Sequence, residues 1–339
     1  MVTIARKSGR EAERVPGRPT TVIIAGVHKA GTTSLFEYLA AHPEIAPARI
    51  KELRYFSRLA RAGMQPDAEE YDRLFTDRKG ARYRLEASPN YLCDGEPVAR
   101  LVADSLPGAR IILLLREPVE RLVSLYNRAI AHSDLPADFS FREFVDASLK
   151  WRPGDSTHYV YTRGLRDGFY IDYLRPWHAV FGENLKVLFT DDLKANSRAV
   201  TADVCRWLGL DPSAIASEPF EVSNRTLHYR FRGLHRHVTG LYMLTEPFWR
   251  RHVALKRAIR RVYNRLNGAR RSLPAIDPET LERLHRVYAP YNEGLRAFLV
   301  EQRMPLPPWL ESGERRPESR RESATCVEIA RPDVREVET

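Results

Sequence analysis

The sequence predicts an α/β protein, with one main domain built on a parallel sheet and helices on both faces. Three observations carry this. Short apolar runs alternate with segments of helical character between residues 20 and 210, the pattern of repeated strand–helix–strand units. The run 110–115, RIILLL, is continuously apolar, as a strand buried on both faces must be. A glycine-containing loop, 26–31, joins a β-branched run to a helical segment.

Taken in order, residues 1–18 read as a flexible polar N-terminal segment. Residues 20–25, TTVIIA, form the first strand, and 32–41 form a helix that ends before Pro43. A strand follows at 83–87, then a helix over 98–105 closed by Pro107 and Gly108. After the strand 110–115, Pro118 opens a helix at its first position, running to about His132. A helix is expected at 168–181, a buried strand at 185–189, and further helices at 197–208 and 278–302. From Glu311 the chain is rich in Glu, Arg, Pro and Ser and reads as a disordered tail to residue 339. The main domain is thus 19–310.

Composition narrows the classes. Of 339 residues 43% are apolar, enough for a core, and no run approaches the ~18–20 apolar residues of a membrane span. Residues 1–18 contain no apolar stretch of signal-peptide type, so a cytoplasmic location is expected. The three cysteines are widely separated and offer no metal-ligand spacing, so no metal is expected. The net charge of +10 is concentrated: residues 225–271 hold 13 Lys and Arg against the single acid Glu246. Leu255, Ile259, Val262 and Leu266 recur there at helical spacing, which makes a basic amphipathic helix. An anionic acceptor, peripheral membrane contact through 239–266, or a solvated arginine face would each suit it.

The loop Gly26-Val27-His28-Lys29-Ala30-Gly31-Thr32-Thr33-Ser34 is built to hold phosphate. Glycines allow backbone N–H groups to ring an anion, the following helix adds its dipole, and Lys29 adds a point charge. The spacing is close to that of a nucleotide-binding P-loop, so the sheet is P-loop-like. Thr32, however, stands where the usual lysine would be. That departure argues against an ordinary Mg-dependent nucleoside triphosphatase. The loop 26–34 is similar to the 5′-phosphosulfate loop of sulfotransferases that use 3′-phosphoadenosine 5′-phosphosulfate (PAPS). The block 115–126, with Arg116, Pro118, Arg121, Ser124 and Tyr126, resembles that family's 3′-phosphate motif. Arg121 and Ser124, three apart, are expected on one helix face.

The stretch Lys51-Glu52-Leu53-Arg54-Tyr55-Phe56 resembles the corresponding block of carbohydrate sulfotransferases, particularly the heparan sulfate N- and 3-O-type group. Residues 85–91, LEASPNY, resemble a further block in which Ala87 replaces a lysine, and the closing 305–310, PLPPWL, resembles the family's ending. The likeness runs from about residue 20 to 310.

The resemblance implies transfer of the sulfuryl group of PAPS to a hydroxyl or amine of a carbohydrate or glycoconjugate, leaving PAP, with no metal. It implies Glu52 as base and Lys29 as the cation that offsets leaving-group charge. Donor contacts are expected from His28, Lys29, Ala30, Gly31, Thr32, Thr33, Ser34, Arg116 and Ser124, and from Arg225 and Arg230 in a late basic loop. His28 or His158 is the next candidate base. A small-molecule or glycan acceptor is the expected partner, and nucleic acid is not. The alternatives are a P-loop kinase-like phosphotransferase and a non-catalytic P-loop domain that binds nucleic acid or anionic membrane.

Overall fold

The computed structural model describes residues 19–132, 134–136, 138–151, 164–215, 228–229, 268–269 and 276–311. Five parallel strands form the sheet: β1 (Thr20–Gly26), β2 (Ile45–Pro47), β3 (Tyr83–Ala87), β4 (Arg110–Leu115) and β5 (Leu185–Phe189), in the order β2-β3-β1-β4-β5. The helices are α1 (Thr32–Ala40), α2 (Tyr55–Ala62), α3 (Ala68–Asp72), α4 (Glu96–Ser105), α5 (Pro118–Ala131) and α6 (Phe141–Lys150). They continue as α7 (Tyr170–Phe181), α8 (Thr190–Ala195), α9 (Ser197–Trp207), α10 (Pro278–Glu301) and α11 (Pro308–Glu311). A two-residue antiparallel pair, β6 (His228–Tyr229) with β7 (Gly268–Ala269), brings the two ends of the basic segment side by side.

Residues 22–25 of β1 and 111–115 of β4 are fully buried, which is why both read as unbroken apolar runs. The chain steps from β1 through α1 to the edge strand β2, then to β3, and back past β1 to β4. Right-handed crossovers in opposite directions put α1 and α4 on opposite faces of the sheet. The neighbouring loops after β1 and β4 therefore diverge, opening the crevice where doubly wound sheets bind ligands. The pairing of β1 with β4 shifts register between Ile24 and Gly26, so the phosphate loop leaves the sheet from an irregular end.

A second cluster joins α5, α6 and α10, with Tyr126, Phe141, Phe144, Leu284 and Tyr288 at its centre. Tyr288 donates to the Leu165 carbonyl at 2.9 Å, while Phe169 stacks on Tyr291 with centroids 3.9 Å apart. The close of α10 onto this turn needs glycine at 168.

The expected strands are all present, and the expected helices within the described residues shift by only a few residues at their ends. The helix expected from residue 168 starts instead at Tyr170, preceded by a 3₁₀ turn, Arg166–Gly168. Short α11 carries the chain through Glu311, one residue past the expected domain end. Strands β2, β6 and β7 and helices α2, α3, α6, α8 and α11 had no sequence counterpart. The amphipathic helix of the basic segment, residues 1–18 and the tail beyond 311 lie outside the described residues. Among the described residues no helix is long and apolar enough to cross a membrane.

A Cβ on Gly168 would sit 2.6 Å from the ring of Tyr288, which is itself fully buried. Gly168→Ala is expected to cost about 1–3 kcal/mol through overpacking. A urea-unfolding midpoint equal to that of the parent would show that the turn can yield.

Candidate active site

The loop after β1 is tied down from both sides. Val27 donates its N–H to the Leu114 carbonyl at 2.9 Å. The buried Thr190 hydroxyl, at the start of α8, reaches the Ala30 carbonyl at 2.7 Å and that of Leu115 at 3.0 Å. Gly31 takes φ +97°, and a Cβ there would press on Leu193 at 3.3 Å. Helix α1 starts with no side-chain cap, so no capping side chain occupies its first-turn amides and positive dipole end at the loop. Of the loop hydroxyls, Thr32 and Ser34 are buried and Thr33 is partly exposed.

Arg116 follows β4 and reaches the same loop. Its guanidinium donates to the Lys29 carbonyl at 3.2 Å and to the Glu120 carboxylate at 3.2 and 2.9 Å. Lys194 from α8 approaches that carboxylate at 3.5 Å. The Tyr170 hydroxyl donates to the Arg116 carbonyl at 2.6 Å and fixes the backbone. Beside Arg116 runs an open groove of about 670 Å³, lined on α5 by Val119, Val123 and Ser124 and on the facing side by Leu281 and His285.

The third part is the segment before α2. Glu52 donates its N–H to the Ala87 carbonyl at the end of β3, at 2.8 Å. Glu52 and Arg54 both take left-handed backbone, φ +64° and +50°. The Glu52 carboxylate pairs with Arg54 at 2.8 Å and Lys51 at 3.3 Å. Burial would raise its pKa, but Lys51, the Arg54 hydrogen bond and His28 together bring it down to about 2. His28 is lowered to about 4, mainly by burial and further by Arg54, Lys51 and Arg121, against the upward pull of Glu52. At neutral pH the site therefore pairs an ionised carboxylate with a neutral imidazole. Lys29 is lowered to about 8 by burial and by Arg128 and Arg116. Successive loop residues thus serve two halves: His28 the carboxylate side, Lys29 the arginine side.

A family model described as a sulfotransferase domain matches residues 19–231, more than half of the chain. This chain belongs to the sulfotransferase-domain family. Among curated relatives, a bifunctional heparan sulfate N-deacetylase/N-sulfotransferase 1 of Caenorhabditis briggsae is 26% identical over 310 residues, covering 87% of this chain and 32% of the relative. The human N-deacetylase/N-sulfotransferase 3 is 24% identical, over 88% of this chain and 32% of its own. The chain thus spans about a third of the length of these relatives. A membrane-associated sulfotransferase, kil1, of Dictyostelium discoideum is 34% identical over 36% of this chain and 26% of its own. The crystal structure of a sulfotransferase from Alicyclobacillus acidocaldarius superposes with TM-score 0.58 at 23% identity, covering 86% of this chain and 98% of that one, and so shares the fold.

Within this sulfotransferase domain the structure brings together His28, Lys29, Ala30, Gly31, Thr32, Thr33 and Ser34 with Arg116, and sets Glu52 beside His28. Ser124 lines the groove next to Arg116. Arg121 is a correction. It does not share the open face with Ser124 but is fully buried, donating to the Gly164 carbonyl. Three residues turn a helix by about 300°, and that 60° offset separates the packed side of α5 from its open side. Arg225, Arg230, His158 and the 239–266 stretch lie outside the described residues. Sequence reasoning missed Thr190, Tyr170, Glu120, Lys194 and His285, because their partners are distant in the chain. Only Glu120, four residues from Arg116 on one helix, carried a local signal.

Lys29 has a folded pKa near 8, below its ordinary 10.5, so its charge opposes folding. That cost is full below pH 8 and fades as pH rises toward 10.5. Lys29→Met is expected to stabilise the ligand-free domain by about 1–3 kcal/mol at pH 7. The gain should shrink when denaturant midpoints are measured near pH 9.5. A gain that does not vary with pH would mean it arises from packing, not charge.

Proposed function

We propose that this chain transfers the sulfuryl group of PAPS to a hydroxyl or amine of a carbohydrate or glycoconjugate acceptor, by in-line displacement with Glu52 as the base. One arrangement carries the reading. An uncapped helix start, Lys29 and Arg116 meet at the crevice between β1 and β4, and an ionised carboxylate is held beside the same loop. The relatives named as heparan sulfate N-sulfotransferases support the glycan acceptor, and the cations Lys51 and Arg54 around Glu52 would suit an anionic one.

The donor site fits the residues present. Amides from Ala30 to Thr33 would hold the 5′-phosphate, and Arg116 with Ser124 would hold the 3′-phosphate. PAPS, when bound, supplies an activated sulfuryl group on a phosphate leaving group. Lys29 offsets the charge that grows on the leaving oxygens. Glu52 takes the acceptor proton as the acceptor oxygen or nitrogen attacks sulfur. A carboxylate held low by Lys51 and Arg54 is a weak base. An acceptor that draws Lys51 and Arg54 onto its own anionic groups would restore the basicity of Glu52 at the moment it is needed.

Thermal-shift measurements with PAP, ADP, ATP and Mg-ATP test the donor. PAP is expected to raise Tm well above the others, and an equal response to Mg-ATP would favour a phosphotransferase. Glu52→Gln is expected to abolish transfer while keeping the PAP shift; retained turnover would move the base elsewhere, first to His28. Lys29→Ala should lower the rate on the order of 100-fold. Arg116→Ala should weaken PAP far more than its analogue lacking the 3′-phosphate, and equal losses would remove that role.

A further inference from the structure

Glu86 lies in β3 with no exposure, and the reaction outlined above gives it no task. Three hydroxyls donate to its carboxylate: Ser88 at 2.7 Å and Tyr91 at 2.6 Å to one oxygen, and Tyr71 at 2.5 Å to the other. Two of those hydroxyls continue outward. The Ser88 oxygen accepts the backbone N–H of Arg54 at 3.0 Å, and the Tyr91 oxygen accepts that of Phe56 at 3.2 Å. Arg54 and Phe56 are the residues that turn the Glu52 segment into α2.

The directions of these bonds matter. With both hydroxyl protons turned inward onto one Glu86 oxygen, their lone pairs are left facing the two amides. The clasp holds a segment that would not keep its shape alone, since Glu52 and Arg54 both sit in left-handed backbone unfavourable to residues with a Cβ. Together with the Glu52 N–H bond to the Ala87 carbonyl, it fixes three successive points between residues 52 and 56 onto the end of β3.

We propose that Glu86, acting through the Ser88 and Tyr91 hydroxyls, is a positioning residue that sets the Glu52 carboxylate for catalysis. This rests on the reading of Glu52 as the base. The clasp aims Glu52 among the groups that face it, Lys51, Arg54 and His28. Loosening it lets the carboxylate drift from these cations.

The test is a variant series assayed for sulfuryl transfer from PAPS, with PAP binding measured beside it. Ser88→Ala and Tyr91→Phe each cut one link to the segment. Each is expected to lower kcat about tenfold or more, with PAP affinity within about twofold of the parent. Each should also move the acid limb of kcat/KM upward, toward the ordinary carboxylate range. Ser88→Thr keeps the hydroxyl and should restore kcat. Glu86→Gln keeps the oxygen that receives both hydroxyls and should stay near the parent, whereas Glu86→Leu should lose rate. Tyr71→Phe removes a bond to Glu86 but no link to the segment, and should leave kcat and the acid limb in place.

If Ser88→Ala and Tyr91→Phe retain parental kcat and acid limb, the proposal is overturned. If Tyr71→Phe falls as far as they do, the network is merely structural and the proposal fails as well. Glu52→Gln separates the two levels: if it stays active, the functional reading fails; if it is dead while the clasp variants are normal, only the positioning role fails.

Discussion

The parallel pairing of β1 between β3 and β4 is the constraint on which the rest depends. It uses the backbone donors and acceptors of strands whose side chains are buried on both faces. Because the three strands run the same way, their carboxyl ends lie in one plane, and whatever follows each strand is delivered to the same place. The phosphate loop follows β1 and Arg116 follows β4. Glu52 does not follow β3 in sequence, yet its amide continues that strand's bonding by donating to Ala87. Thr190, at the end of β5, then locks the β1 loop to the β4 end. Four strand ends thus fix one set of side chains with little freedom between them.

The site also stores strain. Lys29, Glu52 and Arg54 take positive φ, where a Cβ crowds the backbone and the cost is of order 1–3 kcal/mol each. Glycine would remove that cost, as it does at Gly31, but it would also remove the charged side chains these positions place at the site. The strained residues are those with external ties: Arg116 on the Lys29 carbonyl, Ala87 on the Glu52 amide, and Ser88 on the Arg54 amide. The aromatic cluster of Tyr55, Phe56, Tyr71 and Tyr91 gives α2 a firm seat behind them.

What could be read from the sequence was what is local. The doubly buried strands announce themselves as apolar runs, and the phosphate loop by its glycines, lysine and threonines. Strand β2 did not, because it is three residues long and includes Pro47. Helix α2 was hidden because it starts from a left-handed arginine rather than a capping side chain. Spacing puts Arg121 and Ser124 on one helix face, but spacing alone does not say which side of a helix will be buried. Glu86 stood in a recognisable block, but its reach to Phe56 runs through Tyr91, itself 35 residues from Phe56, and leaves no periodic trace.

Glu120 gives the ligand-free site a further property. Its carboxylate bridges Arg116 and Lys194, so part of their charge is offset by the protein's own anion rather than by ions drawn from solution. An incoming phosphate would therefore displace a tethered counter-charge and release few condensed ions. Affinity in such a pocket should vary with ionic strength much less than the number of cations suggests. The tether also makes the exchange reversible without loss of the counter-charge to bulk water. When such a phosphate leaves, the replacement anion is already one helical turn away.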